Sequence, residues 1–180
     1  MSISNKVKAA LAGATLLGGS ITAVIQHNEG LSLTAYKDSA GVPTICYGET
    51  KGVKMGQKRT LTQCREQLIR SAGEHAKALD GLPMTLTDVQ ILGALDMTYN
   101  TGISGFKNST VKRKLMQGDT KGAAQAVLAW RYITVKGKKY NCSLEGNKVC
   151  YGLWKRRIWE SKAIGNEFKS MQAAVAAMPK

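Results

Sequence analysis

The sequence predicts an α+β chain, mostly helical, with one small β element near its start. Three observations carry this. Residues 29–49 are rich in turn formers and close on the β-prone run Thr44-Ile-Cys-Tyr47. Residues 60–79 and 87–99 place apolar side chains at helical spacing. Thr87-Asp-Val-Gln90 has the reciprocal capping pattern that opens a helix. At 180 residues the chain suffices for one domain with a real core and leaves room for two lobes.

Taken in order, residues 1–8 carry Lys6 and Lys8, and residues 9–25 carry no charge. That is the layout of a secretory signal. As one helix, residues 9–25 span about 25 Å at 1.5 Å per residue, a little short of the roughly 30 Å hydrocarbon core. Their large aliphatics are only Leu11, Leu16, Leu17, Ile21, Val24 and Ile25. Insertion into a bilayer is therefore marginal, on the order of a few kcal/mol. Cleavage near Gly18-Gly-Ser20 would leave Glu29 on a frayed terminus, which favours an uncleaved anchor. Lys6 and Lys8 then stay cytoplasmic and the rest faces the periplasm.

Glu29 should end a helix, with Asp38 and Thr44 on a hairpin folding back over it. Lys51–Arg59 is a polar link. A helix capped by Thr60 or Thr62 runs to about Leu79, with Leu61, Leu68, Ile69, Ala72, Ala76 and Leu79 at mainly helical spacing. The helix begun at Thr87 uses Val89, Ile91, Leu92, Leu95 and Tyr99 and stops at Gly102. Short helices follow from Thr110 to Gly118 and from Asp119 to Trp130. Residues 133–150 are basic and β-like. Trp154–Glu160 is helical, and residues 165–178 read as an amphipathic tail helix.

The net charge is +14, with 26 Lys and Arg against 12 Asp and Glu. Such a surplus implies an anionic partner or surface. No helix-turn-helix, zinc-finger or RNP-type motif accompanies it, and the cations are scattered, which argues against nucleic acid. Lys136, Lys138 and Lys139 are read as a solvated face. The four cysteines form no Cys-x-x-Cys, and His27 and His75 stand far apart, so no metal or other cofactor is expected. An even count behind an export signal favours disulfides. Cys142 and Cys150 enclose a short Gly-containing loop, a local staple, which leaves Cys46 to join Cys64.

Glu29 and Asp38 stand nine positions apart, and Thr44 follows six later. Glycoside hydrolysis needs such a set: one carboxyl that holds a proton for the leaving oxygen and a second that stays ionised. Glu29, partly buried, is the candidate acid. Asp38, on a wetter loop, orients water or steadies the glycosyl centre. The Thr44 hydroxyl is too weak an acid to attack unaided and positions the same water. Tyr36 is a sugar-stacking or loop-packing candidate. His27, two positions before Glu29, points elsewhere around the helix.

Glu29-Gly-Leu-Ser-Leu-Thr-Ala-Tyr-Lys-Asp38 through Thr44-Ile-Cys-Tyr-Gly-Glu49 closely resembles the Glu–eight residues–Asp–five residues–Thr triad of phage T4-type lysozymes, the glycoside hydrolase family 24 endolysins. Further landmarks follow in family order: Tyr99-Asn-Thr-Gly102 with Ile-Ser-Gly-Phe106, Leu115-Met-Gln-Gly-Asp119, Trp130-Arg-Tyr132 and Gly152-Leu-Trp-Lys-Arg-Arg157. The resemblance covers about residues 28–162. Two positions depart: Pro43 stands where an aromatic residue is usual, and Glu49 where a His is usual. The second removes a buried His–carboxylate contact of relatives.

The resemblance implies a lysozyme-like fold of two lobes. Residues 1–28 lead into the catalytic helix. A lysozyme domain at 29–180 divides into a β lobe (29–59), a linking helix (60–79) and a helical lobe (80–180). It implies a bacteriolytic muramidase cutting the β-1,4 bond between N-acetylmuramic acid and N-acetylglucosamine in peptidoglycan, with Glu29, Asp38 and Thr44 catalytic. Asn100 joins Tyr36 as a substrate contact, and Arg156 and Arg157 are cations near the catalytic helix, one of them pairing with Glu29. Residues 9–25 are similar to the signal-anchor-release segments of endolysins, held in the host inner membrane and then released to the periplasm. A monomer assisted by a phage holin is the expected setting. The alternatives are a lytic transglycosylase on the same bond, against which Asp38 and Thr44 argue, and a non-enzymatic basic protein binding membrane or nucleic acid. A carboxyl separation of about 6.5–9.5 Å, with room for water, is expected between Glu29 and Asp38.

Overall fold

The structure, a computed structural model, describes residues 2–13, 15–38 and 41–179. Helices α1 (Ile3–Ala12) and α2 (Leu16–Glu29) come first, followed by strands β1 (Ser32–Lys37) and β2 (Pro43–Cys46). Helix α3 (Leu61–His75) continues as a 3-10 turn over Ala76–Leu79. Helices α4 (Asp88–Lys107), α5 (Thr110–Met116) and α6 (Thr120–Val127) follow. Strands β3 (Tyr132–Val135) and β4 (Lys138–Asn141) precede α7 (Tyr151–Ile164) and α8 (Met171–Ala176).

Residues 9–25 do not form one helix. α1 and α2 meet at an 87° bend, and among the described residues no single helix is long and apolar enough to cross a membrane. The cause is local. Thr15 caps α2 by accepting from Gly18 N–H, and Gly13 leaves α1 in an extended conformation. The two helices then cross closely: a Cβ on Gly18 would lie 2.0 Å from the Ala10 carbonyl oxygen. Their apolar faces enter the core through Ile3, Val7, Leu11, Leu17, Ile21, Val24 and Ile25. At the rim, Lys6 pairs with Asp88 at 2.7 Å and Ser4 N–H reaches Asp80 Oδ1 at 3.4 Å.

β1 and β2 are antiparallel, with Tyr36 opposite Thr44 and Lys37 opposite Pro43. Pro43 opens its strand, where a missing N–H is tolerated. Part of the expected polar link joins this sheet: Ala35 N–H donates to Gln57 O and Arg59 N–H to Leu33 O. The Cys46–Cys64 disulfide ties β2 to α3, and Cys142–Cys150 closes the segment after β4.

α3 begins with a Thr60–Gln63 capping box. Of the residues at helical spacing, Leu61 and Ile69 lie at the solvent edge, and Cys64 and Gln67 are buried beside Leu68 and Ala72. Helical spacing marks an arc, and the partner decides which edge of it is covered. α4 opens with the Thr87–Gln90 capping box and packs Val89, Ile91, Leu92, Leu95 and Met97 into the core. Gly102 (φ 79°, ψ 159°) breaks it, and one further helical turn follows. The tail is shorter than its pattern suggests. Ser170 caps α8 at Met171, and Asn166 (φ 59°) turns the chain after α7. Trp159 Nε1 donates to Ala174 O, which seats α8 on α7.

Candidate active site

Glu29 is the last residue of α2. Gly30 (φ 69°) ends the helix with its N–H on the Gln26 carbonyl, in a conformation that favours glycine. The Glu29 side chain is 21 % exposed. Its Oε1 accepts from Arg156 Nη1 at 2.9 Å. Its Oε2 lies against Gly48, where a Cβ would stand 3.3 Å away. Gly48 has φ 80°, so both its backbone and the space beside Glu29 call for glycine there.

Arg156 sits on α7 among three carboxylates. Its Nε and Nη2 donate to the Asp96 carboxylate at 3.0 and 2.8 Å, Nη1 meets Glu29, and Glu160 lies 3.5 Å from Nε. Burial works against the Arg156 charge, yet Asp96, Glu160 and Glu29 outweigh it and hold the guanidinium firmly protonated. Arg157 does not reach Glu29. It pairs with Glu160 at 2.9 Å and donates to Asn100 Oδ1. Burial lowers the Arg157 pKa, partly offset by Glu160. Glu160 is fully buried, and desolvation pushes its carboxyl well above the ordinary carboxylate range, against the pull of Arg157.

A cavity of about 550 Å³ opens over this cluster, lined by Glu29, Asn100, Gly152, Leu153, Lys155 and Arg156, with His27 and Pro179 at its edge. Asn100 is exposed to it, held by Arg157. His27 lies at the rim of this cavity, its Nε2 within 2.7 Å of Pro179 O.

Asp38 and Thr44 lie on the hairpin, and both are held by one residue. Asp38 Oδ1 accepts from Val42 N–H at 2.8 Å, and Thr44 Oγ1 donates to Val42 O at 2.9 Å. Asp38 is half-buried, and Thr44 is buried. Tyr36, opposite Thr44, is 42 % exposed, which leaves part of its ring open to solvent beside the hairpin. Glu49 does not replace the His contact. Its Oε1 accepts from Thr50 and Lys51 N–H groups and closes its own turn. The hydroxyl of Tyr99 donates to Tyr47 O, and burial raises its pKa.

Sequence reasoning brought Glu29 and Arg156 to one place and put Arg157 beside them. It missed Asp96, Glu160 and Asn28. The signal for Asp96 was present: a carboxylate between Leu95 and Met97, inside the apolar run of α4, is costly unless paired. Nothing in the sequence marks Val42 as the residue that holds the hairpin pair.

The phage lysozyme family model matches residues 26–160. The SAR-endolysin of Pseudomonas phage phiKMV is 36% identical over 155 residues, covering 86% of this chain and 84% of that protein. Among solved structures, the endolysin from Escherichia coli O157:H7 phage FAHEc1 superposes with a TM-score of 0.72 at 32% identity, covering 88% of this chain and 98% of the other. The muramidase domain of SpmX from Asticaccaulis excentricus gives 0.67 at 26% identity, over 80% and 93%. The chain is an enzyme of the glycoside hydrolase type and belongs to the phage lysozyme family.

Proposed function

We propose that this endolysin hydrolyses the β-1,4 bond between N-acetylmuramic acid and N-acetylglucosamine in peptidoglycan, with Glu29 as general acid and Asp38 and Thr44 handling the water. One observation carries the reading. A carboxyl at the end of α2 lines a cavity large enough for sugar, and a second carboxyl and a hydroxyl stand on the adjoining hairpin, fixed through Val42.

Glu29 donates its proton to the leaving glycosidic oxygen. Arg156 Nη1 holds Glu29 by one oxygen. Asp38 accepts a proton from the attacking water. The Thr44 proton is committed to Val42 O, so its hydroxyl serves the water as an acceptor. Asn100 and Tyr36 are the sugar contacts of this reading. Mass spectrometry of digested peptidoglycan tests it. Reducing-end muramic acid is the expected product, and 1,6-anhydro sugars would instead mean transglycosylation without water.

The same reading gives residues 9–25 two settings. In the first they lie in the host inner membrane with Lys6 and Lys8 on the cytoplasmic side. In the second they have left it, as α1 and α2 packed on the enzyme, in the periplasm. The weak apolarity of the segment, its buried face in the packed form and the name SAR-endolysin carried by relatives support this. Glu29 ends α2, so the acid reaches its site only in the second setting. Fractionation of cells before and after collapse of the membrane potential tests it: protein moving from membrane to soluble periplasm as lysis begins is expected, and a mature chain beginning near residue 21 would contradict it.

A further inference from the structure

We infer that Asp96 is a positioning residue of the catalytic site: its carboxylate fixes the Arg156 guanidinium so that only Nη1 reaches Glu29. The inference rests on Glu29 being the general acid. Asp96 lies on α4, 2 % exposed, with Leu92, Leu95 and Met97 of the same helix buried around it. A carboxylate there is costly unless its oxygens are satisfied. Both are. Oδ2 accepts from Arg156 Nε at 3.0 Å, and Oδ1 accepts from Arg156 Nη2 at 2.8 Å and from Asn28 Nδ2 at 3.0 Å.

The guanidinium is a planar fork, and a carboxylate that takes its Nε–Nη2 edge fixes the plane as well as the distance. Asp96 takes that edge. What remains for Glu29 is a single contact, Nη1 to Oε1 at 2.9 Å. A single contact holds the acid in place through Oε1 and leaves Oε2, which lies beside Gly48, outside the grip of Arg156. Were the edge vacant, Arg156 could grip both oxygens of Glu29 and oppose protonation more strongly. Asn28 adds a second hold. It precedes Glu29 in the last turn of α2, so its bond to Asp96 fixes the backbone that carries the acid. Asp96 thus joins α4, α7 and the end of α2 at one point. The other charged or titratable groups facing this point are His27 on α2, Tyr99 on α4, Lys155, Arg157 and Glu160 on α7, and Glu49 after β2.

The test is the pH dependence of kcat/KM for Asp96→Asn, alone and with Arg156→Gln. Activity of a general acid is lost as pH rises and the proton leaves. Removing Asp96 strengthens the net positive field on Glu29, so the alkaline limb should move to lower pH by about one unit, which is about a tenfold loss of rate on that limb. KM should change little. In the Arg156→Gln background the further shift of the limb should be clearly smaller, because only the hold through Asn28 and the direct charge of Asp96 remain. An unmoved limb, or an equal shift with Arg156 absent, would overturn the inference. If Asp96→Asn does not fold, Asp96→Glu serves: it keeps the charge, so the limb should stay in place while kcat falls, and an unchanged kcat would count against positioning. Glu29→Gln is assayed alongside. Activity in that variant removes Glu29 from the acid role and so separates failure of that reading from failure of this one.

Discussion

The two halves of the site are built by opposite means. Glu29 is held largely by charge from afar: Arg156 meets it, Asp96 and Glu160 hold Arg156, and the neighbouring Asn28 ties the end of α2 to Asp96. Asp38 and Thr44 are held by short-range backbone bonds to Val42, on a hairpin tied to the body through the Cys46–Cys64 disulfide. The difference fits the roles proposed for each half. A proton donor needs a fixed position and a field set by its neighbours. A water-handling pair needs its oxygens oriented, and hydrogen bonds to one backbone residue do that.

This contrast can be broken from either side. Glu29→Gln should cost the most, about 10²- to 10⁴-fold in wall clearing, with the circular dichroism of the parent. Substantial activity in that folded variant would remove the charged half from the mechanism. Asp38→Asn should be next, on the order of a hundredfold in kcat, with little change in melting temperature because its bonds are local.

Gly48→Ala touches both halves. It forces a side chain into φ 80° and places Cβ 3.3 Å from Glu29 Oε2. It should destabilise by about 1–2 kcal/mol and lower kcat as Glu29 shifts, both measurable on one preparation. Thr44→Ala should lose less, about fivefold, since one neutral hydrogen bond contributes about 1 kcal/mol. Thr44→Ser should recover most of that loss, and failure of Ser to do so would point to packing by the methyl group.

The smallest effects separate two adjacent glycines in α2. Gly18→Ala meets the Ala10 carbonyl and should lower the melting temperature of the soluble enzyme, whereas Gly19→Ala meets nothing and should raise stability by up to about 1 kcal/mol through helix propensity. Equal effects would show that α1 and α2 do not cross at Gly18 in solution.

Most of the fold was legible because its signals are local. The Thr60 and Thr87 caps, the stop at Gly102 and the cysteine pairing by loop size each depend on a few neighbouring residues. The uncharged run 9–25 looked continuous although its break is local: Gly13 leaves α1 and Thr15 caps α2 inside a stretch that reads as one apolar segment. The rest of what was not legible depends on partners distant in sequence. The edge positions Leu61 and Ile69 shared the helical spacing of the core, and nothing in α3 alone says which edge its neighbours cover. In the site, Glu29, Asp38 and Thr44 stood out by spacing. Asp96 is 67 positions from Glu29 and 60 from Arg156 along the chain, so its role appears only when α4 and α7 are packed.

Central to the proposed mechanism is the delivery of water by Asp38 and Thr44 to the face of the sugar opposite the leaving group. The anomer formed first at C1 of the muramic acid, followed by NMR before mutarotation, tests this directly. Water delivered from the opposite face inverts the β bond and gives the α anomer first. A β anomer appearing first would mean retention through a covalent or substrate-assisted route, and would contradict a water-delivering role for Asp38 and Thr44.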